Sequence, residues 1–128
     1  MKKLILILLA MMFLAACGKN KENTQGAGYM NITAEQAKEL MDTQEGYIIL
    51  DTRAQSEYEE GHIPGAIVIP HDQIEEQAES KLPDKDQLIL VYCRSGRRSK
   101  IAAEALVKLG YTNIKEFGGI IDWPYEVE

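Results

Sequence analysis

The stretch Leu88-Ile89-Leu90-Val91-Tyr92-Cys93-Arg94-Ser95-Gly96-Arg97-Arg98-Ser99-Lys100 decides the fold. Leu88 to Tyr92 is an unbroken apolar run, the pattern of a strand buried on both faces. Cys93 to Arg98 reads as a loop. Ser99 to Leu109 reads as a helix, with Ile101, Ala102, Ala105, Leu106 and Leu109 on one face and Gly110 closing it. Four of the eight residues from Cys93 to Lys100 are basic, and no acid lies between Asp86 and Glu104. A helix N-terminus already carries partial positive charge, so arginines there are unfavourable unless an anion neutralises them. A buried structural cysteine followed by a solvated basic turn fits that poorly. A reactive thiolate in an anion cradle fits it well. A free cysteine titrates near pH 8.5, and helix N-termini and neighbouring arginines lower this to between about 3.5 and 7.5. The amides of a tight loop add an anion nest, and Gly96 gives the loop conformations that other residues resist. The expected ligand is a small oxyanion or an anionic sulfur species.

Working outward, strands alternate with helices. Thr33-Ala34-Glu35-Gln36 is a capping box, with Thr33 at the N-cap; Ala37, Leu40 and Met41 follow as an apolar stripe, and Gly46 stops the helix. Tyr47 to Leu50 is an apolar strand run with Asp51-Thr52-Arg53 at its end. Ser56 to Glu60 is a short charged helix closed by Gly61. Ala66 to Ile69 is a second strand between Pro64 and Pro70, and Asp72 is placed to cap a polar helix running toward Lys81. Ile114 to Phe117 is a last strand. This order implies an α/β fold: a central parallel sheet of about five strands with helices on both faces. Ligands of such sheets bind at the carboxyl ends of strands, where Cys93 sits.

The composition narrows the function. The chain has 128 residues, enough for one domain, with 14 basic and 20 acidic residues and a net charge of -6. That balance excludes a general nucleic-acid binder. Two cysteines and two histidines give no basis for a disulfide scaffold or a conventional metal site, and no metal or cofactor is expected. Lys2 and Lys3 precede thirteen uncharged residues, Leu4 to Ala16. That run is too short for a bilayer span, which takes about 20 residues, and has the length of a signal-peptide apolar region. Lys19 to Gly28 is polar and reads as a flexible tether.

Leu14-Ala15-Ala16-Cys17-Gly18 resembles a bacterial lipoprotein signal. The resemblance implies that residues 1–16 are a signal peptide and that Cys17 is lipidated. Residues 17–28 would then be the anchor and linker, and residues 29–128 the folded domain. It places the protein in the bacterial cell envelope, outside the cytoplasm, with the membrane as a partner through lipid. A lipidated Cys17 could not pair with Cys93.

Three further motifs resemble those of single-domain rhodaneses, the thiosulfate sulfurtransferase family. The first is Leu50-Asp51-Thr52-Arg53 with Glu57-Tyr58 and Gly61-His62-Ile63-Pro64-Gly65-Ala66. The second is Cys93-Arg94-Ser95-Gly96-Arg97-Arg98-Ser99, similar to an active loop of the form Cys-x-x-Gly-x-Arg-Ser. The third is Phe117-Gly118-Gly119 with Trp123. The resemblance implies that Cys93 attacks the outer sulfur of thiosulfate, releases sulfite, and passes sulfur from a persulfide to a thiophilic acceptor, which could be a protein thiol. Backbone amides from Arg94 to Arg98, with Ser95 and Gly96 in the loop, would hold the persulfide. Arg94 and Arg97 would bind the sulfonate end and the acceptor, while Arg98 would brace the loop. Cys93 to Arg98 spans Cys-x4-Arg; related cell-cycle phosphatases have Cys-x5-Arg, a wider cradle suited to phosphate.

The remaining residues read as structural. Asp51 and Arg53 read as loop-supporting, since buried charges need partners, with Arg53 and Glu57 as a candidate pair. Ser99 reads as a helix cap or loop bond, His62 as a turn hydrogen-bonder, His71 as a surface residue and Trp123 as a core plug. Competing functions are a non-catalytic sulfur-binding or partner-recognition module, a thiol-redox sensor, and a phosphatase or arsenate reductase. A monomer is the default at this size.

Overall fold

The five residues of strand β4 (Ile89–Cys93) are all buried, because β4 is the middle strand of a five-stranded sheet. The computed structural model describes residues 28–128; the signal segment, Cys17 and the linker up to residue 27 lie outside the described residues. The other strands are β1 (Met30–Asn31), β2 (Ile48–Asp51), β3 (Ile67–Val68) and β5 (Ile114–Gly119). Their order is β1-β5-β4-β2-β3, with every pairing parallel. The fold is α/β, with helices on both faces. Strand β1 was not anticipated: two residues carry no readable period, and they order only by pairing with Lys115 and Glu116 of β5.

Side-chain alternation sends each strand's residues to two cores. Leu50, Ile89 and Val91 face one, where they meet Ile74, Ala78, Ala102, Ala103 and Leu106. These come from α3 (Ile74–Lys81) and α4 (Arg97–Lys108). Ile49, Leu90 and Tyr92 face the other, against Ala37, Ile63, Phe117 and Trp123. Helix α1 (Ala34–Thr43) covers this side, and its capping box is present: Gln36 N–H donates to Thr33 Oγ1 at 3.0 Å and Thr33 N–H to Gln36 Oε1 at 2.9 Å. Between β2 and β3 lies the short α2 (Gln55–Glu60).

Three local expectations need correction. Helix α4 starts at Arg97, inside the predicted loop, and its buried face is Ser99, Ala102, Ala103 and Leu106. Ile101 is 41% exposed. The face is rotated because polar Ser99 occupies a core position, where it finds hydrogen-bond partners beneath the loop. Asp72 does not cap α3: it lies in a 3-10 turn, His71–Gln73, which follows Pro70, and the helix begins at Ile74 with no side-chain cap. The proline's fixed φ suits the start of that turn. Arg53 pairs with Asp51 instead of Glu57.

Candidate active site

Cys93 ends β4, and three residues, Arg94-Ser95-Gly96, connect it to α4. Gly96 turns the chain with φ of +110°, in the left-handed region. This turn aims the Gly96 N–H at the Cys93 sulfur, 3.0 Å away. Cys93 is 1% exposed, so the loop sets the sulfur's surroundings. Arg94, Ser95 and Arg97 are exposed and Arg98 half-buried. Among the described residues Arg94 and Arg97 form no ion pair.

Strand β5 supports the loop from beside it. The β4–β5 register slips between Val91 and Cys93, so Cys93 lies opposite Gly119. A Cβ on Gly119 would overlap the Arg94 carbonyl. Only glycine lets the loop come so close to the strand. Ile121 N–H then donates to that carbonyl at 3.3 Å.

Two ion pairs brace the site. Asp51, at the end of β2, is fully buried. Its Oδ1 accepts from the Arg53 backbone N–H (2.9 Å), and its Oδ2 accepts from Arg53 Nη2 (2.8 Å) and the Tyr92 hydroxyl (2.7 Å). Arg53 also donates to the Gly61 carbonyl at 2.6 Å, and Ile63 N–H donates to the Tyr92 hydroxyl at 3.1 Å. Burial is the main cause that raises the Tyr92 phenol well above its ordinary range. The network ties β2 and the 61–63 turn to the residue preceding Cys93. The second pair is bidentate, from Arg98 of α4 to Glu57 of α2, at 2.8 and 3.1 Å. Glu57 also accepts from Ala54 N–H at 3.0 Å. His62 stacks on Tyr58 and bonds its carbonyl oxygen through Nδ1 at 2.9 Å, so it is occupied within its turn.

Hydrogen bonding from Arg98 lowers the Glu57 carboxyl to about 2 from its ordinary 4.5. The folded value is the depressed one. The contribution is therefore complete above about pH 4.5 and is lost as pH falls through about 2. For a partly exposed pair we expect about 1 kcal/mol at neutral pH, or roughly 4–8 °C in Tm for a domain of this size. Thermal melts of Glu57→Gln against wild type should show this gap at pH 6 and close it near pH 2. A gap that persists unchanged at pH 2 would contradict the assignment.

One residue absent from the sequence reading belongs here. Glu116 of β5 is 2% exposed and lies beneath the loop. Its Oε2 accepts from Ser99 Oγ (2.5 Å) and Gly118 N–H (3.0 Å), and its Oε1 from Asn31 Nδ2 (2.6 Å). Ser99 Oγ lies 3.3 Å from Cys93 Sγ and 3.2 Å from the Gly96 carbonyl. The available signal was strand alternation: Glu116 shares a sheet face with buried Ile114.

The site is thus a cysteine at the carboxyl end of a central parallel strand, cradled by a short loop, beside two arginines that have no ion-pair partner among the described residues. The chain belongs to the family of rhodanese-like domains, whose family model matches residues 33–124. It is 38% identical over 73 residues to the thiosulfate sulfurtransferase PspE of Escherichia coli (strain K12), covering 57% of this chain and 70% of that protein. It is 35% identical over 89 residues to the adenylyltransferase and sulfurtransferase UBA4 of Candida albicans; this covers 64% of the chain but only 20% of that longer protein. Among solved structures, a rhodanese with anions from E. coli superimposes with a TM-score of 0.60 at 34% identity, over 64% of this chain and 96% of that one.

Proposed function

We propose that this protein is a sulfurtransferase that carries sulfane sulfur as a Cys93 persulfide, taking it from thiosulfate or a similar anion. The observation that carries the reading is the sulfur under the Gly96 N–H, with Arg94 of the loop and Arg97 at the start of α4 lacking an ion-pair partner among the described residues. The similarity to a thiosulfate sulfurtransferase supports the donor class. The Cys93 thiolate attacks the outer sulfur of the donor. The donor's S–S bond breaks, and sulfite leaves with the electron pair. The terminal sulfur of the new persulfide carries negative charge, and the Gly96 N–H and the loop arginines stabilise it. A thiophilic acceptor then attacks that sulfur and restores the Cys93 thiolate. Arg98 is engaged with Glu57, which makes it a loop brace. With thiosulfate and cyanide as substrates, thiocyanate should form with ping-pong kinetics. Intersecting initial-rate lines would refute a persulfide intermediate.

The proposal extends to location. The motif ending Ala15-Ala16-Cys17 supports a lipid-anchored protein outside the cytoplasm, where acyl burial contributes about 0.8 kcal/mol per CH₂. Cys17→Ser should shift the protein from the membrane to the soluble fraction in a bacterial host. Unchanged membrane retention and an unacylated Cys17 would reject the anchor.

A further inference from the structure

The surface around the active loop offers more than a small anion uses. Arg94 of the loop is exposed. So are Arg97, Lys100 and Ile101, which share the solvent face of the first turns of α4 at positions i, i+3 and i+4. Arg94, Arg97 and Lys100 form no ion pair among the described residues. On the β5 side of the loop stands Ile121, in the 3-10 turn Ile120–Asp122, whose backbone N–H holds the Arg94 carbonyl. The Ile121 side chain is 60% exposed, and Ile101 is also exposed.

Thiosulfate and cyanide are small anions, and two exposed isoleucines add nothing to holding them. A single apolar residue on a surface is ordinary. Here two border a cluster of cations without ion-pair partners, in a chain whose net charge is -6. Apolar contacts set among charges of one sign are the make-up of a docking face for a protein of opposite charge. Nearby acids do not cancel the cluster. Glu57 is held by Arg98, and Glu116 is buried beneath the loop. The exposed Glu104 and Asp122 lie at its margins, one turn beyond Lys100 and one residue past Ile121. Cys93 is almost fully buried, so a partner reaches the sulfur with a protruding segment and not with a flat surface.

We propose that the sulfur acceptor is an acidic protein that docks on Arg94, Arg97, Lys100, Ile101 and Ile121 and presents a cysteine on a protruding acidic segment, with an apolar residue beside it. The partner's thiolate attacks the terminal sulfur of the Cys93 persulfide. The bond between that sulfur and Cys93 Sγ breaks, and Cys93 leaves with the electron pair as a thiolate. The partner's cysteine becomes the persulfide, so no oxidant or reductant is consumed. The cations speed encounter with an acidic partner, and the isoleucines slow its release. The proposal rests on the sulfurtransferase reading of Cys93.

The test loads the full chain, in detergent, with sulfur from thiosulfate, removes the donor, and follows discharge by intact mass. The acceptors are cyanide and short synthetic peptides that carry a cysteine beside a leucine, flanked by glutamates, by glutamines or by lysines, compared at equal thiolate concentration. At low ionic strength the glutamate peptide should discharge the protein about tenfold faster than the glutamine peptide, with the lysine peptide slowest, and added salt should erase the preference. Lys100→Glu and Ile121→Ser should each slow the glutamate peptide about fivefold and leave discharge by cyanide at the wild-type rate. Equal rates for the glutamate and glutamine peptides, or wild-type rates in both variants, would overturn the proposal. A parallel loss with cyanide would make these residues loop supports and overturn it too. So would a wild-type dimer in sedimentation equilibrium that Ile121→Ser dissociates, which would give the face to a second copy. A wild-type protein that takes up no sulfur at all would instead remove the sulfurtransferase reading, and the docking proposal with it.

Discussion

Cys93→Ala is expected to eliminate sulfur transfer, lowering thiocyanate formation by more than about 10³-fold, the scale on which loss of a covalent nucleophile acts. The substitution should leave the fold intact. Cys93 contributes little beyond its sulfur to the core, and alanine fits the same strand. The sulfur's partners are the Gly96 N–H and Ser99 Oγ, and Ser99 keeps its bond to Glu116 without it. Circular dichroism and Tm should stay close to wild type while activity disappears. Comparable activity in a folded Cys93→Ala protein would remove the persulfide mechanism.

The second large effect is expected from Gly119→Ala. Gly119 has φ of -127°, an ordinary extended value, so backbone strain is not the issue. The obstacle is space: the new methyl would occupy the position of the Arg94 carbonyl. Either β5 or the active loop must move. Overpacking of this kind costs about 1–3 kcal/mol of stability, and a displacement near 1 Å at a reacting centre costs about 10²-fold in rate. The informative comparison is Gly46→Ala. Gly46 has φ of +78° and open space around it, so alanine there should cost about 1–2 kcal/mol through left-handed strain and leave turnover unchanged. If the two variants lose activity equally, the close approach of Gly119 is not what positions the loop.

Much of this architecture was legible because strong patterns agreed. The Leu88 to Tyr92 run could be read as a doubly buried strand, and its sheet position places Cys93 at a carboxyl end. The loop was legible because four cations at a helix start contradict the helix dipole, and a local rule broken in this way often marks a functional site. The illegible parts depended on tertiary partners. Pairing of Arg53 with Glu57 follows from sequence spacing, but the Asp51 carboxylate lies within direct reach of the Arg53 side chain, leaving Glu57 for Arg98. The buried face of α4 was misjudged because Ser99 reads as a helix cap or loop bond, and its place in the core follows only once Glu116 is set opposite it. Glu116 itself, flanked by Lys115 in a short strand, gives no sign in sequence of three converging donors.

The central claim is that Cys93 carries the transferred sulfur. Its most direct test is the intact mass of the chain from Lys19 onward after thiosulfate treatment, with Cys93→Ala alongside. The account predicts a gain of one sulfur atom in the wild type only, lost on adding cyanide as thiocyanate appears. No gain on a demonstrably reduced Cys93, or an equal gain in Cys93→Ala, would contradict it.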